Sequence, residues 1–157
     1  MSLRSALKAS TLAITVFILD HRKERRAACV DLLRHQKGVR VVGASQSGLE
    51  GFAFIGKRKP RILLLDLSLP PREAVRLLPT LRRNSPRTKV LLLSGRAPQA
   101  RILEALSYGA VGYLEDNRLS ALLPKAIRLV NAGEGWVPRK MIAGIVQRIS
   151  RISERKR

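Results

Sequence analysis

The sequence predicts an α/β fold in which five parallel strands form one doubly wound sheet, five helices flank it, and an amphipathic helix follows. Three observations carry this expectation. Short apolar runs recur at residues 14–19, 39–44, 62–65, 90–93 and 110–114, and each is rich in β-branched residues or leucine. Most lack polar alternation, which is how strands buried on both faces read. After each run comes a stretch long enough for a helix, and strand–helix units repeated in series place helices over both faces of a parallel sheet. Finally, the chain has 157 residues, 45% of them apolar, and a single cysteine. That fits one globular domain held by its core, because Cys29 has no partner for an internal disulfide.

The elements follow in order. Residues 1–13 are read as an N-terminal extension, polar and basic over the first ten. The apolar stretch 12–19 is too short to span a bilayer, and Asp20-His21-Arg22-Lys23 follows it where a signal peptide would carry a cleavage site. A buried first strand at 14–19 is the better reading. The helical stretches are 24–35 with Ala27, Ala28, Leu32 and Leu33; 49–56 with Phe52, Phe54 and Ile55; and 73–83 with Val75, Leu77, Leu78 and Leu81. Two more follow: 99–107 with Ile102, Leu103 and Leu106, and 120–132 with Leu123, Ile127 and Val130, closed by Gly133 as a helix C′ residue. Pro79 should kink or shorten the third helix. Pro124 is harmless if the fifth helix begins near Leu122 and costly if it begins at Asn117. Residues 14–135 are therefore the expected domain. Residues 136–157 are a basic amphipathic helix or linker, with Met141, Ile142, Ile145, Val146, Ile149 and Ile152 at helical spacing.

Charge is the odd number: 31 Lys and Arg against 11 Asp and Glu, a net charge of +20. It raises the question of an anionic partner. The basic runs at 22–26, 57–61, 82–83 and 155–157 are, however, spread over several elements. No helix-turn-helix pattern, zinc spacing or aromatic platform accompanies them. An enzyme is not expected either. There is no recognisable nucleophile–base pair, and Gly109-x-x-Gly112 is too short for a dinucleotide loop.

The scarce acids say more. In a doubly wound sheet of order 2-1-3-4-5, ligands bind beyond the carboxyl ends of the strands, at the switch point between the first and third. The first and third runs are followed by Asp20 and Asp66, the fourth by Ser94-Gly95, and the fifth by Glu115-Asp116. Clustered carboxylates attract a hard cation, and Mg²⁺ pairs naturally with oxygen ligands and phosphate. A carboxylate beside such an ion can attack a phosphoryl group.

At these residues the chain resembles a known family. ILLLDLSLP at 62–70, KVLLLS at 89–94, ALSYGAVGYL at 105–114 and KAIRLVNAGE at 125–134 look like the receiver domain of bacterial response regulators. These are CheY-like, of the branch usually fused to LuxR- or NarL-type helix-turn-helix output domains. The resemblance implies a flavodoxin-like fold and a place in two-component phosphorelay signalling. It implies that Asp66 is the phosphoacceptor, that Ser94 contacts the phosphoryl oxygen, and that Tyr113 is the switch aromatic. It also implies that Asp20 and Asp66 hold Mg²⁺, and that Pro70 lies in the loop after the phosphoacceptor.

Two departures matter. The second residue of the family's acidic pair is His21 here, and the lysine after the fifth strand is Asp116. Imidazole is a poor Mg²⁺ ligand, and an aspartate repels a phosphoaspartate. Arg22 and Arg96 are close enough in sequence to supply positive charge instead. The expectation is therefore an atypical receiver, phosphorylated weakly or not at all at Asp66, that acts by protein–protein contact in the cytoplasm. Its expected partners are a histidine kinase or another signalling protein, and a second copy through the final helix. Nucleic acid would enter only through an output domain or non-specifically, and no membrane is involved. A basic receiver-like protein that associates with nucleic acid is the second reading. His21 is expected at a helix entry, His35 at a helix end, Cys29 in the core and Trp136 at the junction with the tail.

Overall fold

The computed structural model describes residues 12–69 and 73–156. Pro70 and most of the N-terminal extension lie outside them. The chain runs β1 (Ile14–Leu19), α1 (Lys23–Arg34), β2 (Val39–Ser45), α2 (Gly48–Arg58), β3 (Ile62–Asp66), α3 (Glu73–Asn84), β4 (Lys89–Ser94), α4 (Gln99–Ser107) and β5 (Gly112–Glu115). A 3-10 turn (Asp116–Arg118), α5 (Leu119–Asn131), a second 3-10 turn (Arg139–Met141) and α6 (Ile142–Arg155) complete it. The strands pair in parallel in the order β2-β1-β3-β4-β5. This is the predicted flavodoxin-like architecture, and it puts the carboxyl ends of β1 and β3 side by side.

The apolar runs lack alternation because both faces of the central strands are covered. Along β3, Ile62 and Leu64 face one core with Val16, Ile18, Leu91, Leu93 and the α1 and α5 residues Cys29, Leu33, Leu123 and Ile127. Leu63 and Leu65 face the other, with Phe17, Leu19, Leu92, Ile55, Leu78 and Ile102. Each such side chain contributes roughly 1.5–3 kcal/mol by leaving water.

The prolines behave better than expected. Pro79 sits mid-way along α3, yet the helix continues to Asn84. Pro79 is exposed while Leu78 and Leu81 are buried, so packing holds the last turns despite the missing bond. α5 begins at Leu119, so Pro124 falls beyond the first turn. Leu123, Ala126, Ile127 and Val130 are fully buried around it and outweigh one missing bond. Gly133 closes the helix at φ +97°, as its position predicts.

The tail is not free. Trp136 bridges to the outer edge of β5: Tyr113 N donates to Trp136 O at 2.7 Å, and Trp136 N donates to Val111 O at 3.1 Å. Gly112 permits this approach, since a Cβ there would stand 2.8 Å from Trp136 O and 2.8 Å from Leu91 Cδ1. Met141 is buried in the core and Ile145 packs beside it. Gly144 lies against Leu103 and Gln99 of α4. α6 thus rests on α4, a surface that its own periodicity does not reveal. Ile142, Val146, Ile149 and Ile152 remain exposed along it. Among the described residues, no helix is long and apolar enough to cross a membrane.

Candidate functional site

Two strand ends and one helix start build the site. Asp20 directly follows β1 and Asp66 ends β3, and both are 0% exposed. The turn into α1 is short. Arg22 N donates to Asp20 Oδ1 at 2.8 Å, and Arg26 Nη1 donates to Asp20 O at 2.8 Å, so Asp20 anchors the helix entry. That entry brings Arg25, in the first turn of α1, back over the sheet edge. Asp116, just after β5, approaches from the far side. Gly95 makes room for it: a Cβ there would stand 2.8 Å from Asp116 Oδ2.

Arg25 occupies the centre and is itself buried. Its Nε contacts Asp20 Oδ2 at 2.5 Å and its Nη2 reaches Asp20 Oδ1 at 3.2 Å. Nη2 also lies 2.7 Å from Asp66 Oδ1, and Nη1 lies 2.7 Å from Asp116 Oδ1. One guanidinium therefore joins three carboxylates that come from the ends of three different strands. Asp66 has further partners. Ser68 N and Ser68 Oγ donate to Oδ1 at 2.9 and 2.6 Å, and His21 Nδ1 bonds Oδ2. Arg22 Nη1 bonds Asp116 Oδ2 at 3.2 Å.

The electrostatics follow from these contacts. Burial works to raise the Asp66 carboxyl, but the two Ser68 bonds, Arg25 and His21 outweigh it and bring the carboxyl down to about 2. Burial raises Asp20 above its ordinary value, and the Arg25 and Arg22 donors take back only part. Burial opposes the charged guanidinium of Arg25, yet Asp20, Asp116 and Asp66 hold it above even its usual high value. Arg25 is a permanent cation here.

Asp20, His21 and Asp66 each offer an atom within 4.8 Å of the others, the arrangement a metal would need. The donor set does not fit Mg²⁺ with Arg25 in place. Both oxygens of Asp20 and both of Asp66 already receive donors, and the third ligand is an imidazole. An ion would have to displace the guanidinium.

The remaining predicted residues are placed as follows. Ser94 is buried, and its Oγ accepts from Ala97 N at 3.0 Å. Tyr113 is 5% exposed and sits in the core beside Leu92, Ala105 and Met141. Burial and the carboxylates of Glu115 and Asp116 raise its hydroxyl. Arg96 lines the open mouth of about 580 Å³ with Arg22, Gly95 and Asn117. Cys29 lies fully buried in the core, its thiol pushed up to about 12 chiefly by burial. His35 caps the end of α1. Reading the sequence missed Arg25 and Ser68. Arg25 was lost within a basic run that reads as a solvated face. Its signal was Asp116, an acid that needs a cation close by.

A doubly wound sheet with buried aspartates at the ends of β1 and β3, a serine ending β4 and an inward tyrosine on β5 defines the receiver class of signalling domain. Residues 16–128 match the family described as response regulator receiver domain, and the chain belongs to it. It is 31% identical over 132 residues to the oxygen regulatory protein NreC of Staphylococcus aureus (strain JH9), covering 83% of this chain and 61% of that protein. The chain thus spans about three fifths of the length of the curated relatives it matches. Among solved structures it is similar to the receiver domain of the response regulator NarL from Mycobacterium tuberculosis. There the TM-score is 0.73 at 26% identity, covering 78% of this chain and 99% of that one. It also shares its fold with a LuxR-family two-component response regulator from Aurantimonas sp. SI85-9A1, with a TM-score of 0.77 at 21% identity, covering 88% and 99% of the two chains.

Proposed function

We propose that this receiver domain signals by binding and not by phosphoryl transfer, with Asp66 phosphorylated weakly or not at all. The observation that supports this is the Arg25 guanidinium, which bridges Asp20 and Asp66 and, with His21 on the other Asp66 oxygen, leaves neither carboxylate with a free oxygen. Phosphoryl transfer depends on positioning and on neutralising charge around the acceptor. In this reading the acceptor is already neutralised, and Asp116 replaces the lysine that in the family meets the phosphoryl group. This reading takes Ser94 as the hydroxyl contact and Tyr113 as the switch aromatic. Tyr113 is already buried, and Ser94 accepts a bond from Ala97 N.

In this reading residues 14–135 form the receiver and 136–157 an appended element. The partner is a histidine kinase or another signalling protein in the cytoplasm. The exposed stripe of Ile142, Val146 and Ile149 suits a second copy, which would cover it. The test is direct. Incubate the protein with acetyl phosphate and Mg²⁺ and measure the intact mass. A phosphoryl increment is expected on at most a small fraction of the protein. An increment on most of the protein that Asp66→Asn abolishes would overturn the reading.

A further inference from the structure

We infer that Arg25 is the resident cation of this pocket, a side chain doing permanently what a divalent ion does in a metal-loaded acidic site. The inference deepens the binding-only reading and rests on it for its functional meaning, though not for its geometry.

The argument is one of charge and shape. Two fully buried carboxylates lie side by side at the switch point, and a third approaches from the loop after β5. Buried charges persist only when paired and hydrogen-bonded. The guanidinium is planar and always charged, and it has separate nitrogens to spend on separate acceptors. It uses Nε on Asp20, Nη1 on Asp116 and Nη2 on both Asp20 and Asp66. An ammonium, a single point charge, could not spread so.

The departures from the family pattern then become one change instead of two defects. Asp116 is the acceptor that fixes the outer nitrogen of Arg25. His21 supplies the donor for the Asp66 oxygen, Oδ2, that Arg25 does not reach. Arg22 balances the remaining oxygen of Asp116. A lysine at 116 would repel Arg25, and a carboxylate at 21 would add a fourth negative charge to a site holding one central cation. Each replacement suits a site that carries its own cation.

Removing the guanidinium should therefore open a metal site. The experiment uses the full chain and Mn²⁺ as the probe, read by loss of the free-ion paramagnetic resonance signal, with melting temperature measured in chelator and in Mg²⁺. Wild type should neither bind Mn²⁺ at Asp66 nor change its melting temperature with Mg²⁺. Arg25→Ala should melt lower in chelator and bind Mn²⁺, and Asp66→Asn in that background should remove the binding. Metal at about a hundredfold its dissociation constant should raise the melting temperature of Arg25→Ala by roughly 5–10 °C.

Wild-type Mn²⁺ binding that Asp66→Asn abolishes would overturn the inference, and this arm stands even if Arg25→Ala fails to fold. So would a folded Arg25→Ala, or the closer-shaped Arg25→Gln, that ignores both ions. The two readings fail separately. A phosphoryl increment on a wild type that binds no metal would defeat the binding-only reading alone. Metal binding without an increment would defeat the resident cation alone.

Discussion

Acid should weaken this protein through Asp66 in a way that can be isolated. The Asp66 carboxyl is 0% exposed and lies near about 2, against an ordinary 3.8. Its folded value is depressed, so its contribution is fully present above the unfolded value and is lost as pH falls through the folded one. The gap of nearly two pH units corresponds to roughly 2 kcal/mol in full, of which about 1 kcal/mol is lost between pH 6 and pH 3. Urea unfolding at those two pH values measures it. With a slope of about 2 kcal/mol/M, the Asp66 share is a fall of about 0.5 M in the midpoint. Asp66→Asn keeps the shape and removes the titration, so its midpoint should fall by that much less than wild type over the same interval. Asp20 titrates with the opposite sign, but it is present in both proteins and the comparison cancels most of it. Equal falls in wild type and Asp66→Asn would refute the claim that Arg25, His21 and Ser68 hold this carboxylate ionised.

Two further outcomes concern the tail. Gly112→Ala should cost about 1–3 kcal/mol by overpacking, because its Cβ would meet Trp136 O and Leu91 at 2.8 Å. Thermal melting checks the loss, and amide exchange at Tyr113 should quicken as its bond to Trp136 O lengthens. Val146→Asp with Ile149→Asp should leave the melting temperature within about 1 °C, since both residues are exposed. Light scattering should then report a monomer where wild type, at high concentration, reports a dimer.

The architecture was legible because burial on both faces strips polar residues from the strands. Ile62 to Leu65 read as a central strand for that reason, and the carboxylates that end such runs stand out against them. Asp20, Asp66, Ser94 and Tyr113 were thus singled out from local pattern and resemblance. Arg25 was not, because its role depends on helix phase. Five residues after Asp20, it reaches the sheet edge only once the turn through Arg22 is formed. Its neighbours Arg22, Lys23 and Arg26 made it look like one more surface charge. α6 shows the same limit. Its apolar spacing announced a helix, but that Gly144 settles on α4 is a fact about tertiary neighbours. Pro79 shows the reverse case, a strong local rule overruled by the burial of Leu78 and Leu81.

The two backbone bonds at Trp136 also bear on how the protein behaves in a crowd of its own copies. β5 ends the sheet, and an end strand with bare amides and carbonyls is a template for another chain to extend. Pairing Tyr113 and Val111 with Trp136 consumes two of those groups within the molecule. The surrounding positive charge adds long-range repulsion between copies. Growth by strand addition is thereby discouraged at that edge, and encounters are left to side-chain surfaces such as the outer face of α6.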